Sequence, residues 1–228
     1  MNPQPASGRI GGGISSGRYT PMETIEGVAF ERVIEIPYDP EQKRLYKAKR
    51  RSSIYHPHRL RLGRGKEGRQ SSGLFAEIAV RAALKENGCM VLISEPRVPD
   101  GFVVAHYPGY REREEHPYTR MFEYFDRDQL ERFNAIADRK KIESDRKEIK
   151  AKRKKAKNPT RGGGDPDLFV VRGDGSRFFV EVKGEGDKLR AKQGVVFPLI
   201  RKMLGCEVWL AQLRAVPGAK PSDFALPQ

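Results

Sequence analysis

The stretch DPDLFVVRGDGSRFFVEVKGEGDKLRAKQG, residues 165–194, constrains the fold more than any other part of the chain. Two apolar runs, Leu168–Val171 and Phe178–Val182, flank Asp174–Gly175, a pair that favours a tight turn. They predict a β-hairpin with strands over approximately Leu168–Arg172 and Arg177–Lys183. Yet Asp167 stands at the mouth of the first strand, and Glu181 and Lys183 interrupt the end of the second. Side chains two apart in a strand share a face, so Glu181 and Lys183 point one way while Val180 and Val182 point the other. Antiparallel pairing then brings Asp167 beside the end that carries Glu181 and Lys183. Burying such charges is costly unless an ion or a close partner compensates them. Two readings follow. Carboxylate and carbonyl oxygens suit a hard divalent cation, Mg²⁺ or Mn²⁺, better than zinc; alternatively, Glu181 and Lys183 form a purely structural pair at a strand end.

The rest of the chain supplies pieces to pack around this hairpin. In SSGLFAEIAVRAALKENGC, the residues Leu74, Phe75, Ile78, Ala82 and Leu84 fall in one apolar sector of a helix over 72–87. Ser71 or Ser72 caps its start and Asn87–Gly88 stops it. Glu77 lies inside this helix near the core-facing edge. CMVLIS reads as a buried strand over 89–94. GVAFERVIEIPYDP is expected to hold a short strand ending before Pro37, and GFVVAHYPGY another. In the segment TRMFEYFDRDQLERFNAIADRKKIESDRKEIKAKRKKAKNP, Met121, Phe122, Phe125, Leu130, Phe133, Ile136 and Ala137 recur roughly at helical spacing, and the apolar stripe fades after Ile142. Positive charge then dominates from Arg139 to Lys157. Such a helix lies along a duplex or projects into solvent, or its tail is a disordered basic linker.

Charge narrows the class of partner. The chain has 228 residues and a formal net charge of +14, from 44 Lys and Arg against 30 Asp and Glu. Neutralising phosphates releases condensed counterions, so this excess favours a nucleic acid over the blander reading of a basic tail. KRLYKAKRRSSIYHPHRLRLGRGKEGRQ fits either a phosphate-touching arm or a solvated connection; His56 and His58 alone are a weak metal signal. No apolar run approaches the roughly 20 residues of a bilayer span, and the Gly- and Ser-rich residues 1–20 lack a signal-type core. Cys89 and Cys206 are too few for a disulfide framework or a zinc cluster, which predicts a cytoplasmic location. GRGKEG lacks the spacing and hydroxyl of a P-loop.

GGGDPDLFVV followed by FFVEVKGEGDKLRAKQ resembles the PD-(D/E)XK nuclease superfamily and, within it, the VRR-NUC family. The shared elements are Gly164-x-Pro166-Asp167, Glu181-Val182-Lys183, Gly184, Asp187-x-Leu189 and Lys192–Gln193. The tight match runs over about residues 161–214. The resemblance implies an α/β, restriction-endonuclease-like core: a central mixed sheet flanked by helices, with a long basic helical insertion. Helix 72–87, strand 89–94, the hairpin 168–183, a helix over 187–204 and a strand over 206–213 would supply its parts. Pro198 should kink or break the second of these helices, because it lacks a backbone donor and crowds the Gly194 carbonyl. The expected division is a flexible tail over 1–20, a basic extension over 21–70, a core over 71–95 and 161–214, an insertion over 96–160, and a C-terminal tail over 215–228.

The same resemblance implies a divalent-metal-dependent DNA endonuclease. Asp167, Glu181 and the Val182 carbonyl would hold Mg²⁺ or Mn²⁺, with Glu77 as a direct or water-mediated ligand. Glu86 is the competing acid on that helix. Lys183 would place the attacking water and Gln193 would orient Lys183 or the water. Arg161, Lys188, Lys192 and the basic run Lys152, Arg153, Lys154 and Lys155 are the candidate nucleic-acid contacts. Proteins of this kind include resolvases and flap-cutting enzymes, which implies branched or double-stranded DNA as substrate and a homodimer as one arrangement. The alternatives are a catalytically silent nucleic-acid-binding module and a partner-dependent nuclease subunit.

Overall fold

The computed structural model describes residues 22–48, 72–93, 124–151 and 164–228. The expected strand in GFVVAHYPGY, the basic arm with His56 and His58, and Lys152, Arg153, Lys154, Lys155 and Arg161 lie outside the described residues. The elements run β1 (Glu23–Ile25), β2 (Val28–Phe30), β3 (Arg32–Tyr38), α1 (Pro40–Lys47), α2 (Ser72–Glu86), β4 (Met90–Ile93), α3 (Arg127–Ala151), β5 (Leu168–Val171), β6 (Arg177–Lys183), α4 (Gln193–Leu199) and β7 (Glu207–Ala215). A π-helical turn, Ile200–Leu204, extends α4, and a 3₁₀ turn occupies Pro221–Asp223.

Five strands form one mixed sheet in the order β3-β7-β6-β5-β4, flanked by helices in the restriction-endonuclease-like manner. β4, β5 and β6 pair antiparallel, while β7 is parallel to both β6 and β3. The β5–β6 turn closes as expected: Gly175 has φ 83°, and the Ser176 N–H donates to Asp174 Oδ1 at 2.8 Å. At the end of α2, Gly88 takes φ 75° and the Cys89 N–H reaches back to the Leu84 carbonyl at 3.1 Å.

Strand alternation splits the core into two layers. Val180 and Val182 face one cluster, with Phe75, Val80, Ala83 and Trp209 beneath α2. Phe169 and Phe179 face the other, with Leu130, Phe133, Phe197 and Ile200 beneath α3 and α4. Each such side chain stabilises the fold by about 1.5–3 kcal/mol when taken out of water.

Three expectations are corrected here. β3 runs through Pro37 to Tyr38 and pairs with β7 along its length, so the stretch expected as an extension supplies the sheet's edge. Proline is tolerated because an edge strand needs only one side of its backbone for the ladder. α3, expected as a basic helix within an insertion, covers the Phe169–Phe179 face with Leu130, Phe133 and Ala137. The 187–204 helix starts only at Gln193; Gly186 has φ 78°, and Asp187 Oδ2 takes the Gly184 N–H at 2.9 Å in place of a helical turn. Pro198 does not break this helix. Its missing donor is followed by the wider π-helical turn, and the chain continues to Gly205, with φ 64°.

Candidate metal and nuclease site

The β5–β6 register pairs Leu168 with Val180, so the next step outward sets Asp167 across from Glu181. Both lie on the α3–α4 face, in line with Phe169 and Phe179. The Val182 N–H donates to Asp167 Oδ2 at 2.7 Å, which locks that carboxylate against the end of β6. Lys183 shares the face of Glu181, and its Nζ stands 2.7 Å from Glu181 Oε1. Glu181 is 2% exposed, and its other oxygen, Oε2, is buried without a hydrogen-bond partner.

Two carboxylates side by side, one buried and one half-buried, resist ionisation. Burial pushes Glu181 up to about 8, with the neighbouring Asp167 charge adding to the rise and Lys183 opposing it. Burial likewise raises Asp167 to about 6, against the Val182 hydrogen bond and the charges of Lys183 and Arg190. Gln193 is buried, and its side chain, like Lys183, opposes the rise at Glu181. Its Oε1 accepts the Arg190 N–H at 2.7 Å, which leaves the amide N–H groups to face the carboxylate.

The segment from Gly184 to Leu189 borders a cleft of about 270 Å³ lined by Lys183, Gly184, Asp187, Leu189, Gln212 and Glu26. Glu26 and Gly27 make the β1–β2 turn with φ 48° and 79°, and Glu26 Oε2 takes the Leu189 N–H at 2.7 Å. Glu185 pairs with Lys43 at 3.3 Å. Acidic side chains thus hold the loop that carries Lys188, whose own side chain is exposed.

The other expected residues fall as follows. Glu77 is half-buried on α2, which packs on the sheet face opposite Glu181 and Lys183. It would reach the carboxylates only around the end of β6, where a Cβ on Gly184 would sit 4.0 Å from Ala76. Among the described residues no three or more His, Cys, Asp or Glu side chains converge as a metal cluster. Lys192, expected as a phosphate contact, is buried, and its Nζ pairs with Asp145 of α3 at 2.8 Å. Two participants were not expected. Arg190 acts on Asp167, and Lys141 of α3 forms a buried pair with Asp165 at 2.6 Å. The signal for Asp165 was its i, i+2 relation to Asp167; for Lys141 it was helical spacing from Leu130 and Ala137.

The donor set fits a hard divalent cation. Asp167 and Glu181 supply adjacent carboxylates, and the unpartnered Glu181 Oε2 is a buried acceptor that a cation would satisfy. The VRR-NUC domain family matches residues 109–214, which include α3, the hairpin, α4 and nearly all of β7. This match agrees with the resemblance carried by the hairpin residues. No curated protein and no solved structure matches the chain. The VRR-NUC domain is a nuclease-type domain, generally DNA-related, and the matched span takes in α3. Among the described residues no helix is long and apolar enough to cross a membrane.

Proposed function

We propose that the chain is a Mg²⁺- or Mn²⁺-dependent DNA endonuclease that hydrolyses phosphodiester bonds and prefers branched or flapped duplexes. The observation that carries this reading is the half-buried Asp167 facing the buried Glu181 beside Lys183, with one Glu181 oxygen left without a partner. The VRR-NUC match and the net charge of +14 support DNA as the polymer. Branch preference and a homodimer rest on the family resemblance alone.

Asp167, Glu181 and the Val182 carbonyl would hold the divalent ion, and Glu77 would contribute through a water from the far side of β6. The ion, when bound, supplies Lewis-acid polarisation of the phosphate and lowers the pKa of water. Lys183, on the same strand face as Glu181, would donate from Nζ to the attacking water or to a phosphate oxygen as negative charge builds there. Gln193 holds Glu181 in its rotamer through the amide N–H. The exposed Lys188 would meet the DNA backbone, and Lys152, Arg153, Lys154, Lys155 and Arg161 are assigned the same task. A binding module without catalysis would keep Lys183 on Glu181, the pairing seen at 2.7 Å.

Titrating Mg²⁺ or Mn²⁺ against linear, flapped and four-way DNA separates these readings. Cleavage that needs the ion and is strongest on flapped or four-way substrates is expected. Binding with no cleavage at any ion concentration would refute the enzyme assignment.

A further inference from the structure

The two segments that bear the site residues are both tied to α3 by ion pairs. Lys141 Nζ lies 2.6 Å from Asp165 Oδ1 and 2.7 Å from Oδ2, with both side chains buried, and Asp138 stands 3.8 Å away. Asp165 is two residues before Asp167. One helical turn further on, Asp145 meets Lys192 at 2.8 Å, and Lys192 immediately precedes Gln193. The segments also touch each other. A Cβ on Gly164 would fall 2.5 Å from Lys192 Cβ and 3.1 Å from its carbonyl carbon, and Gly164 has φ 90°. Only glycine allows that approach. Leu130, Ala137, Lys141 and Asp145 follow one stripe of α3, so its buried face changes from hydrocarbon to charge as it passes the site.

We propose that Lys141 and Asp145 are positioning residues for this site, fixing Asp167 through Asp165 and Gln193 through Lys192. The inference rests on the nuclease reading above. Neither residue contacts the candidate ligands Asp167 and Glu181 in the way Lys183 and Gln193 do. Their effect is to hold the pre-strand loop and the start of α4 at one separation, so that the Asp167 carboxylate and the Gln193 amide converge on Glu181. Buried pairs in this role specify geometry more than they stabilise. Groups that orient metal ligands from behind typically change metal affinity by about 10–100-fold when removed.

The test uses the full chain and three variants: Lys141→Met, Asp145→Asn, and the double Lys141→Met/Asp165→Leu. The double variant replaces the buried pair with hydrocarbon and keeps the experiment decisive where the single one fails to fold. Mn²⁺ binding is read by calorimetry on the DNA-free protein, and kcat and KM are read separately on DNA. Folded variants are expected to bind Mn²⁺ about 10–100-fold more weakly and to lose kcat, while KM for DNA stays near the parent's. Folded variants that bind Mn²⁺ and cleave like the parent overturn the inference. A parent that neither binds Mn²⁺ nor cleaves overturns the nuclease reading and this inference together, whereas failure of the inference alone leaves the parent active.

Discussion

The two faces of strand β6 do different work within seven residues. On the α2 side, Phe178, Val180 and Val182 pack into hydrocarbon, with Phe178 stacked on Trp209 at a ring separation of 4.0 Å. On the α3–α4 side, Phe179 is followed by Glu181 and then Lys183, so the same alternation that fills a core delivers charge at the strand's end. The first face is built for stability. The second gives up some of that stability to hold two carboxylates and an ammonium in fixed relation. Substitutions on the two faces should therefore fail in different assays.

The largest effect is expected on the charged face. Asp167→Ala or Lys183→Ala should reduce ion-dependent cleavage by at least about a hundredfold while DNA binding, measured by gel shift, persists. Cleavage at the parental rate by either variant would remove it from the mechanism. Phe178→Ala on the opposite face should reverse the pattern, costing about 3–5 kcal/mol in urea unfolding and sparing the chemistry of whatever protein remains folded.

The pH response sharpens the contrast. Asp167 and Glu181 ionise in the unfolded chain near their ordinary values of 3.8 and 4.5, but in the fold they are raised to about 6 and about 8. Between pH 4 and pH 8 the folded protein therefore binds more protons than the unfolded chain, and stability from these groups falls as pH rises. Thermal unfolding without divalent ions should show this decline, and Glu181→Gln should flatten its upper part. An ion competes with the same protons, so the Mg²⁺ concentration for half-maximal cleavage should drop from pH 6 to pH 8. The smallest effect belongs far from both faces: Arg214→Ala, which opens an exposed pair with Glu35 at 3.5 Å, should change urea stability by less than about 1 kcal/mol.

How much of this was readable in the sequence depends on the range of the interactions. The hairpin was legible because alternation and the Asp174–Gly175 turn are local signals. α2 was legible because its period and its Asn87–Gly88 stop agree, and Asn87 does more than stop it: Nδ2 donates to the Phe224 carbonyl at 2.8 Å and Oδ1 accepts the Leu226 N–H at 2.8 Å, docking the expected C-terminal tail. β3 was read short because its partner, β7, lies far along the chain and only that pairing reveals it as an edge where Pro37 is harmless. The charged half of α3 reads in the sequence as a duplex-tracking or solvent-facing helix, or a basic linker, because Lys141 and Asp145 find their partners only after Asp165 and Lys192 fold beneath them. At the site, Asp167, Glu181 and Lys183 followed from strand parity. Gln193 followed only from resemblance, and Arg190 from neither.

The central claim is that Asp167 and Glu181 form one acidic pocket for a divalent ion. Its most direct measurement is calorimetric titration of Mn²⁺ into the purified chain at pH 7, repeated in buffers of different ionisation enthalpy and with Glu181→Gln. Because Glu181 is raised to about 8, it is largely protonated at pH 7, and binding should release a proton that makes the observed heat depend on the buffer. Glu181→Gln should lose both the affinity and that dependence. Mn²⁺ binding with the same heat in every buffer, or unchanged by Glu181→Gln, would contradict the account.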